Sequence, residues 1–193
     1  MFTTYTNIPE AIFVKRLQAG DEEAFRLLVQ QYHQSMVRLA SVIVCEMWIA
    51  EDVVQETWLA VLKAIHNFEG RSTIKTWLFS IVINRARTYL KREQRHAYRS
   101  KVSLDAQEGT VPEFMVLQMD AHPETIAVNH ELQYIVSKTI ELLPQTQQIV
   151  VRLRHLDGFS AAEVSQQLGI SDINQRVLLH RARKQIRTRL LSY

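Results

Sequence analysis

The side chains of this chain that could do chemistry include 23 Lys and Arg residues, and six of these cations lie in its last fifth. After Asp172 this segment contains no acidic residue. Its cationic side chains, with one histidine, are Arg176, His180, Arg181, Arg183, Lys184, Arg187 and Arg189. On one helix, such groups neutralise DNA phosphates while the first turns meet base edges in the major groove. A solvated surface helix usually mixes both signs of charge, so the one-sided pattern favours a nucleic-acid partner.

A helix-turn-helix is predicted to hold these cations in place. Ser160 and Glu163 have the spacing of a capping box, which predicts that a helix begins at Ser160. Gly169 supplies the left-handed residue that ends this helix, and Ser171 can cap the next one. The second helix of the motif therefore carries the cations.

A second cationic helix is predicted in the middle of the chain, from Ile74 to about Lys101. Its first half is apolar on one face, and we expect Trp77 to lie in the core. Beyond Asn84 the cations outnumber the one acid, Glu93, and they are Arg85, Arg87, Lys91, Arg92, Arg95, Arg99 and Lys101. Tyr89 and Tyr98 are interleaved with them, a mixture typical of surfaces that contact phosphates and unstacked bases.

The segments before residue 70 are predicted to form the core that supports this helix. A short amphipathic helix follows Pro9, with Ile12, Phe13 and Leu17 on its apolar face, and Gly20 ends it. Asp21 caps either a helix pair or one long helix. A third helix, from about residue 49 to 68, has its apolar face at Val53, Val54, Thr57, Trp58, Val61, Leu62 and Ile65. It begins with an exposed acidic cluster at Glu51, Asp52, Gln55 and Glu56, which the helix dipole alone would also favour.

Composition indicates an all-α chain of two small domains. Its 193 residues contain only 5 Gly and 4 Pro, and long segments have a helical period. We place the domains at residues 8–101 and 124–193, joined by an acidic, flexible linker at residues 102–123. The single cysteine, Cys45, allows no internal disulfide, no histidine has metal-ligand spacing, and no segment is apolar enough to cross a membrane. We therefore expect a cytoplasmic protein with no cofactor, metal site or membrane insertion.

The order of these parts resembles the extracytoplasmic-function (ECF) group of the sigma-70 family over nearly the whole chain. Residues 20–25, 50–58, 68–70 and 76–78, with Asn84, are similar to sigma domain 2. Sigma domain 4 is matched by residues 143–144, 158–160, 168–171 and 179–183, together with Glu163. The linker corresponds to the short segment that ECF proteins have in place of domain 3.

The resemblance implies a protein that is no enzyme, binds bacterial RNA polymerase core and directs it to promoter DNA. The positions that match the family's contacts with the clamp helices of the largest polymerase subunit are Asp52, Gln55, Glu56 and Trp58, although Trp58 also suits the core. Those that match minus-10 opening and capture of a flipped base are Glu69, Gly70, Arg71, Ser72, Thr73, Asn84, Arg85, Tyr89 and Lys91. The minus-35 positions are Ser171, Arg176, Val177, His180, Arg181, Arg183 and Lys184, the last three as phosphate contacts or fold supports.

The chain departs from the family pattern at the start of its last helix. Relatives usually have Gly-Thr-Val where this chain has Ile173, Asn174 and Gln175, and an Arg is common where it has Leu178. The departure implies an unusual minus-35 sequence, weak duplex binding, or a helix that begins one residue away. The resemblance also implies control by an anti-sigma factor.

Other functions are compatible with parts of the sequence. A dimeric helix-turn-helix regulator explains residues 160–189 and leaves the first hundred unexplained. In a helical adaptor that binds only proteins, the cations after Asn84 would be a solvated charge run. A further hypothesis is that the acids between Asp105 and Glu124 fold back on the middle cationic helix and compete with DNA.

Overall fold

The computed structural model describes residues 9–103 and 135–191. The N-terminal lobe, residues 9–103, consists of α1 (Glu10–Gln18), α2 (Glu22–Val44), α3 (Met47–Ala64) with a 3₁₀ turn at Ile65–Asn67, and α4 (Ile74–Ser103). The C-terminal lobe, residues 135–191, consists of α5 (residues 135–141), α6 (Gln145–Val151) with a π-helical turn at Arg152–Leu156, α7 (Ala161–Leu168) and α8 (Asp172–Leu190).

The described residues contain no strand, so the predicted all-α class is confirmed there. The linker from residue 104, the acids between Asp105 and Glu124, and the start of the helix predicted after Pro123 lie outside the described residues. So do the side chains of the last predicted cations of α4, Arg99 and Lys101.

Local capping explains where α2 begins. Asp21 accepts a hydrogen bond from the backbone N–H of Ala24, 3.1 Å away, and thereby caps α2. Arg16 contacts the same carboxylate at 2.7 Å, and its hydrogen bond holds the pKa of Asp21 below the usual range. Of the two arrangements expected after Asp21, the structure has the single long helix, which ends at Cys45 in the left-handed conformation.

The N-terminal core lies between α2, α3 and α4. Trp58 is only 8% exposed, and Phe79 is fully buried. Two predicted core positions are wrong: Ile12 is 52% exposed and Leu62 is 46% exposed. Each residue lies at the margin of the apolar stripe of its helix. Whether that margin is covered depends on how neighbouring helices pack, and the periodicity of a single helix does not predict this packing.

The last three helices of the C-terminal lobe, α6, α7 and α8, begin where the sequence predicts. Pro144 precedes α6, and the capping box of Ser160 and Glu163 is formed in both directions. Gly169 ends α7 with φ of +66°, a conformation that glycine adopts without the steric cost of a Cβ atom. Ser171 then accepts the backbone N–H of Asn174 at 3.2 Å, so α8 begins at Asp172.

Part of the contact between the two lobes is made by α4 and α7. Phe159 is buried and meets Phe79 edge to face, with ring centroids 5.0 Å apart. The Thr76 hydroxyl donates to Glu163 Oε1 at 2.7 Å, and the side-chain amide of Gln167 donates to the Thr76 carbonyl oxygen at 2.7 Å. The helix-turn-helix is therefore held to the start of α4 by its first helix.

A further set of contacts surrounds this interface. The side-chain amide of Gln145 donates to the carbonyl oxygens of Val42 and Ile43 at 2.8 and 2.9 Å. Arg87 of α4 donates to the carbonyl oxygen of Leu168 at 3.1 Å. These bonds satisfy carbonyl groups at the C-terminal ends of α2 and α7, which have no partner within their own helices.

Candidate functional surfaces

The acidic face of α3 is exposed, as the sequence predicts. Asp52, Gln55 and Glu56 project to solvent along one side of the helix, whereas Trp58 points into the core. The Trp58 indole N–H donates to His33 Nδ1 at 3.2 Å, and its ring meets Phe25 edge to face at 5.8 Å. Trp58 therefore fixes the position of α3, and the polar residues form the accessible surface.

The loop at residues 68–73 lies between α3 and α4 and is exposed at its centre. Gly70 has φ of +72°, and the carboxylate of Glu69 pairs with Arg71 at 2.5 Å. Thr73 accepts the backbone N–H of Thr76 at 3.1 Å and so caps α4. Glu69, Arg71 and Ser72 are exposed, so this loop presents polar side chains to solvent next to the capped start of α4.

The basic part of α4 continues from this loop. Asn84 and Lys91 are exposed, and Arg85 and Tyr89 are half-buried. The Arg85 guanidinium donates to Glu56 of α3 at 2.9 Å. A side chain predicted to bind DNA is thus paired with one predicted to bind polymerase.

The outer side of α8 is open to solvent. Arg176, Val177, His180, Arg181 and Lys184 are all exposed. The opposite side packs on the lobe through Gln175, Leu179 and Ala182, which are buried. The predicted minus-35 residues therefore share the outer surface of one helix.

The structure accounts for part of the departure from the family pattern. Ile173 is 74% exposed, whereas Gln175 is 1% exposed. Leu178 is half-buried and packs against the core. Position 178 therefore faces the lobe more than solvent, and an arginine there would leave the helix on that inner side. Because Ser171 caps α8 as predicted, a shifted helix start is not needed to explain the departure.

Arg183 has a partner that the sequence does not reveal. Its Nη2 and Nε atoms lie 3.0 and 3.3 Å from Nε2 of His155, which belongs to the π-helical turn after α6. Desolvation lowers the pKa of His155, and the charges of Arg183 and Arg154 lower it further.

Titratable groups also meet between the lobes. Lys75 donates to the Asp157 carbonyl oxygen, and its ammonium lies 4.5 Å from the centre of the Phe159 ring. Burial raises the pKa of the Asp157 carboxyl to about 6, against the opposing charges of Arg152 and Lys75. Burial also disfavours the charged form of Lys75, and this lowers the pKa of its ammonium group. No local sequence motif predicts this cluster, because its members are distant in sequence.

Within residues 9–103 and 135–191, no three His, Cys, Asp or Glu side chains are grouped closely enough to hold a metal ion. Over the same residues, no helix combines the length and the apolar character that a bilayer span requires.

Comparison with known proteins finds two matching family descriptions. Residues 28–96 match Sigma-70 region 2, and residues 134–186 match Sigma-70, region 4. The chain is 34% identical over 180 residues to the ECF RNA polymerase sigma-E factor of Escherichia coli (strain K12), a match that covers 93% of each protein. The protein with the same description from Haemophilus influenzae is 30% identical over 183 residues, with 95% of this chain and 96% of the relative covered.

Solved structures show a similar fold. The sigma factor RpoE from Bartonella quintana, crystallised with the anti-sigma factor NepR, superposes with a TM-score of 0.64 at 20% identity, covering 86% of this chain and 96% of that one. CnrH in complex with the cytosolic domain of CnrY gives a TM-score of 0.58 at 22% identity, with 95% and 97% covered. At these identities the similarity is one of fold.

Proposed function

Because the chain belongs to the ECF group of the sigma-70 family, a class of non-enzymatic transcription initiation factors, we propose that its separate exposed surfaces bind polymerase and two promoter elements. The chain is an RNA polymerase sigma factor that directs promoter-specific initiation. This family membership excludes the dimeric regulator and the protein-only adaptor. The cytoplasm, where chromosomal DNA and polymerase meet, is the compartment we propose for it.

The polymerase-binding surface that we propose is the acidic face of α3. Asp52, Gln55 and Glu56 are exposed side by side, and carboxylates there suit a basic partner surface. Trp58 contributes by packing α3 against Phe25 and His33. The expected partner is the clamp-helix region of the largest polymerase subunit.

The minus-10 surface that we propose combines the loop at residues 68–73 with the basic part of α4. Extraction of one base from the stack costs a few kcal/mol, which loop groups and backbone cations must offset. The loop side chains are exposed beside a capped helix start, and Asn84, Arg85, Tyr89 and Lys91 follow along the helix. We assign residues 8–101 to this combined docking and melting role.

The minus-35 surface that we propose is the outer side of α8, within residues 124–193. Arg176, Val177 and His180 would meet base edges, and Arg181, Arg183 and Lys184 would hold phosphates. The observation that carries the assignment is the exposure of all these side chains on a helix whose other side is buried. Ser171 supports them by capping the helix.

In vitro run-off transcription with core polymerase and genomic templates tests the proposed function, together with a pull-down of core polymerase. We expect Asp52→Asn with Glu56→Gln to weaken core binding, while Glu22→Gln, an exposed acid at the start of α2, serves as the control. Asn84→Ala should reduce open-complex formation, whereas Lys15→Ala on α1 should not. Correctly folded protein that neither binds core nor supports specific initiation would contradict the proposal.

We also propose that an anti-sigma factor controls this protein. The support is the family resemblance, together with the Bartonella quintana protein of similar fold that was solved with its anti-sigma factor. Co-purification followed by reconstitution tests this: the recombinant partner must suppress run-off transcription by the pure factor. A partner that binds and leaves transcription unchanged would refute the control.

A further inference from the structure

Arg183 lies on the same side of α8 as the proposed base-contacting residues. Positions 176, 180 and 183 are four and three residues apart, so their side chains line one helix face. All three are exposed. Arg183 follows the others by one to two turns, where a helix in the major groove would approach the DNA backbone.

The geometry at His155 fixes how its imidazole meets Arg183. A guanidinium has only donors, so the ring nitrogen that lies 3.0 Å from Nη2 and 3.3 Å from Nε must accept. His155 is therefore neutral in this contact, with its hydrogen on Nδ1. The charged groups that face the imidazole are Arg183 from α8 and Arg154 from its own turn, and both disfavour a second positive charge.

We propose that His155 is a positioning residue for duplex binding, which as a neutral acceptor holds the Arg183 guanidinium on the DNA-facing side of α8. An arginine side chain loses rotamer freedom when it binds a phosphate, and an acceptor that orders it beforehand reduces that cost. Two donor atoms of Arg183 face His155, and the remaining N–H groups are left for a phosphate oxygen. This inference rests on the proposed role of α8.

Phosphate contacts are independent of sequence, so the test needs no knowledge of the promoter. Fluorescence anisotropy of the full chain with a labelled duplex of arbitrary sequence is measured at pH 7.5 over a salt series. Arg183→Ala should weaken binding and reduce the slope of log affinity against log salt by about one. His155→Ala should weaken binding about 2- to 10-fold, the range expected for loss of one ordering hydrogen bond.

A double-mutant cycle separates positioning from a purely structural role. The effect of His155→Ala should vanish when Arg183 is already alanine, and His155→Gln, whose amide oxygen can accept, should recover most of the affinity. NMR titration adds a signature: the pKa of His155 should rise in Arg183→Ala, because a neighbouring cation is gone.

Each result has a defined meaning. If His155→Ala weakens binding equally with and without Arg183, His155 is structural and the proposal is overturned. If Arg183→Ala changes neither affinity nor salt slope, Arg183 holds no phosphate and the proposal also fails. Neither result affects run-off transcription by the unmodified factor, so a failure here is distinguishable from a failure of the proposed function.

Discussion

Asp157 offers a sharp test of the contact between the lobes. It follows the π-helical turn of the C-terminal lobe, and the charges that act on it include Lys75 and Arg38 of the N-terminal lobe. Asp157→Asn keeps the shape of the side chain and removes its ability to ionise. The comparison between the two proteins therefore isolates the ionisation of one buried carboxyl.

The sign and size of the contribution of Asp157 to stability follow from the raised pKa of its carboxyl group. The carboxyl titrates near 3.8 in an ordinary setting and at about 6 when folded, so between these values the folded protein keeps a proton that the unfolded chain releases. The contribution of this group to the free energy of unfolding therefore rises as the pH falls. Integrated from pH 7.5 to pH 5, its contribution is about 1.4 kcal/mol in favour of the folded state at the lower pH.

Chemical denaturation at pH 7.5 and pH 5 measures this contribution. Other groups titrate over the same range, so the quantity of interest is the wild-type change minus the Asp157→Asn change. We expect the wild type to gain about 1.4 kcal/mol relative to the variant on acidification. Asp172→Asn, which removes an exposed acid at the start of α8, controls for the loss of one negative charge.

Parallel pH dependence of the wild type and Asp157→Asn would refute the reasoning, because it would mean that Asp157 ionises in the folded protein as it does in the unfolded chain. A relative loss of stability on acidification would refute it as well. In that case the attraction of Lys75 and Arg152 would outweigh the burial of the carboxylate.

Three further outcomes are expected. Glu56→Gln frees Arg85 from its 2.9 Å ion pair, so the free factor should bind a single-stranded oligonucleotide a few-fold more tightly at low salt in an anisotropy titration. Unchanged or weaker binding would contradict the pairing. Ser171→Ala removes the cap of α8 and should lower the unfolding free energy by about 1 kcal/mol in a denaturant titration, whereas an unchanged midpoint would show that the cap is dispensable. Phe159→Ala deletes a buried ring that meets Phe79 and should cost about 3–5 kcal/mol in the same titration; a loss below 1 kcal/mol would mean that the lobes do not pack there.

Several helix starts and ends can be predicted from the sequence because their causes are local. The capping box at Ser160, the cap at Ser171 and the left-handed Gly169 each involve residues within four positions of one another. The same holds for Asp21. Exposure of the acidic face of α3 was predictable because the apolar residues of that helix already define the opposite side.

The pairings between elements were not predictable from one sequence. Glu56 and Arg85 are 29 positions apart, and His155 and Arg183 are 28 apart, so nothing in either local pattern links them. The sequence does not decide whether Trp58 is buried, because both core packing and surface docking suit a tryptophan on that helix. Its contacts with Phe25 and His33 depend on how α2 crosses α3.

Attachment of the helix-turn-helix to α4 through Thr76, Glu163 and Gln167 has a thermodynamic consequence. The contact uses α7, whereas the outer side of α8 stays fully accessible. A duplex that touches only that outer side binds the joined and the parted lobes with equal affinity, and a ligand with equal affinity for two states leaves their ratio unchanged. A ligand that parts the lobes must therefore compete for a surface that they share, either α7 with the first turn of α4, or α6 with the end of α2.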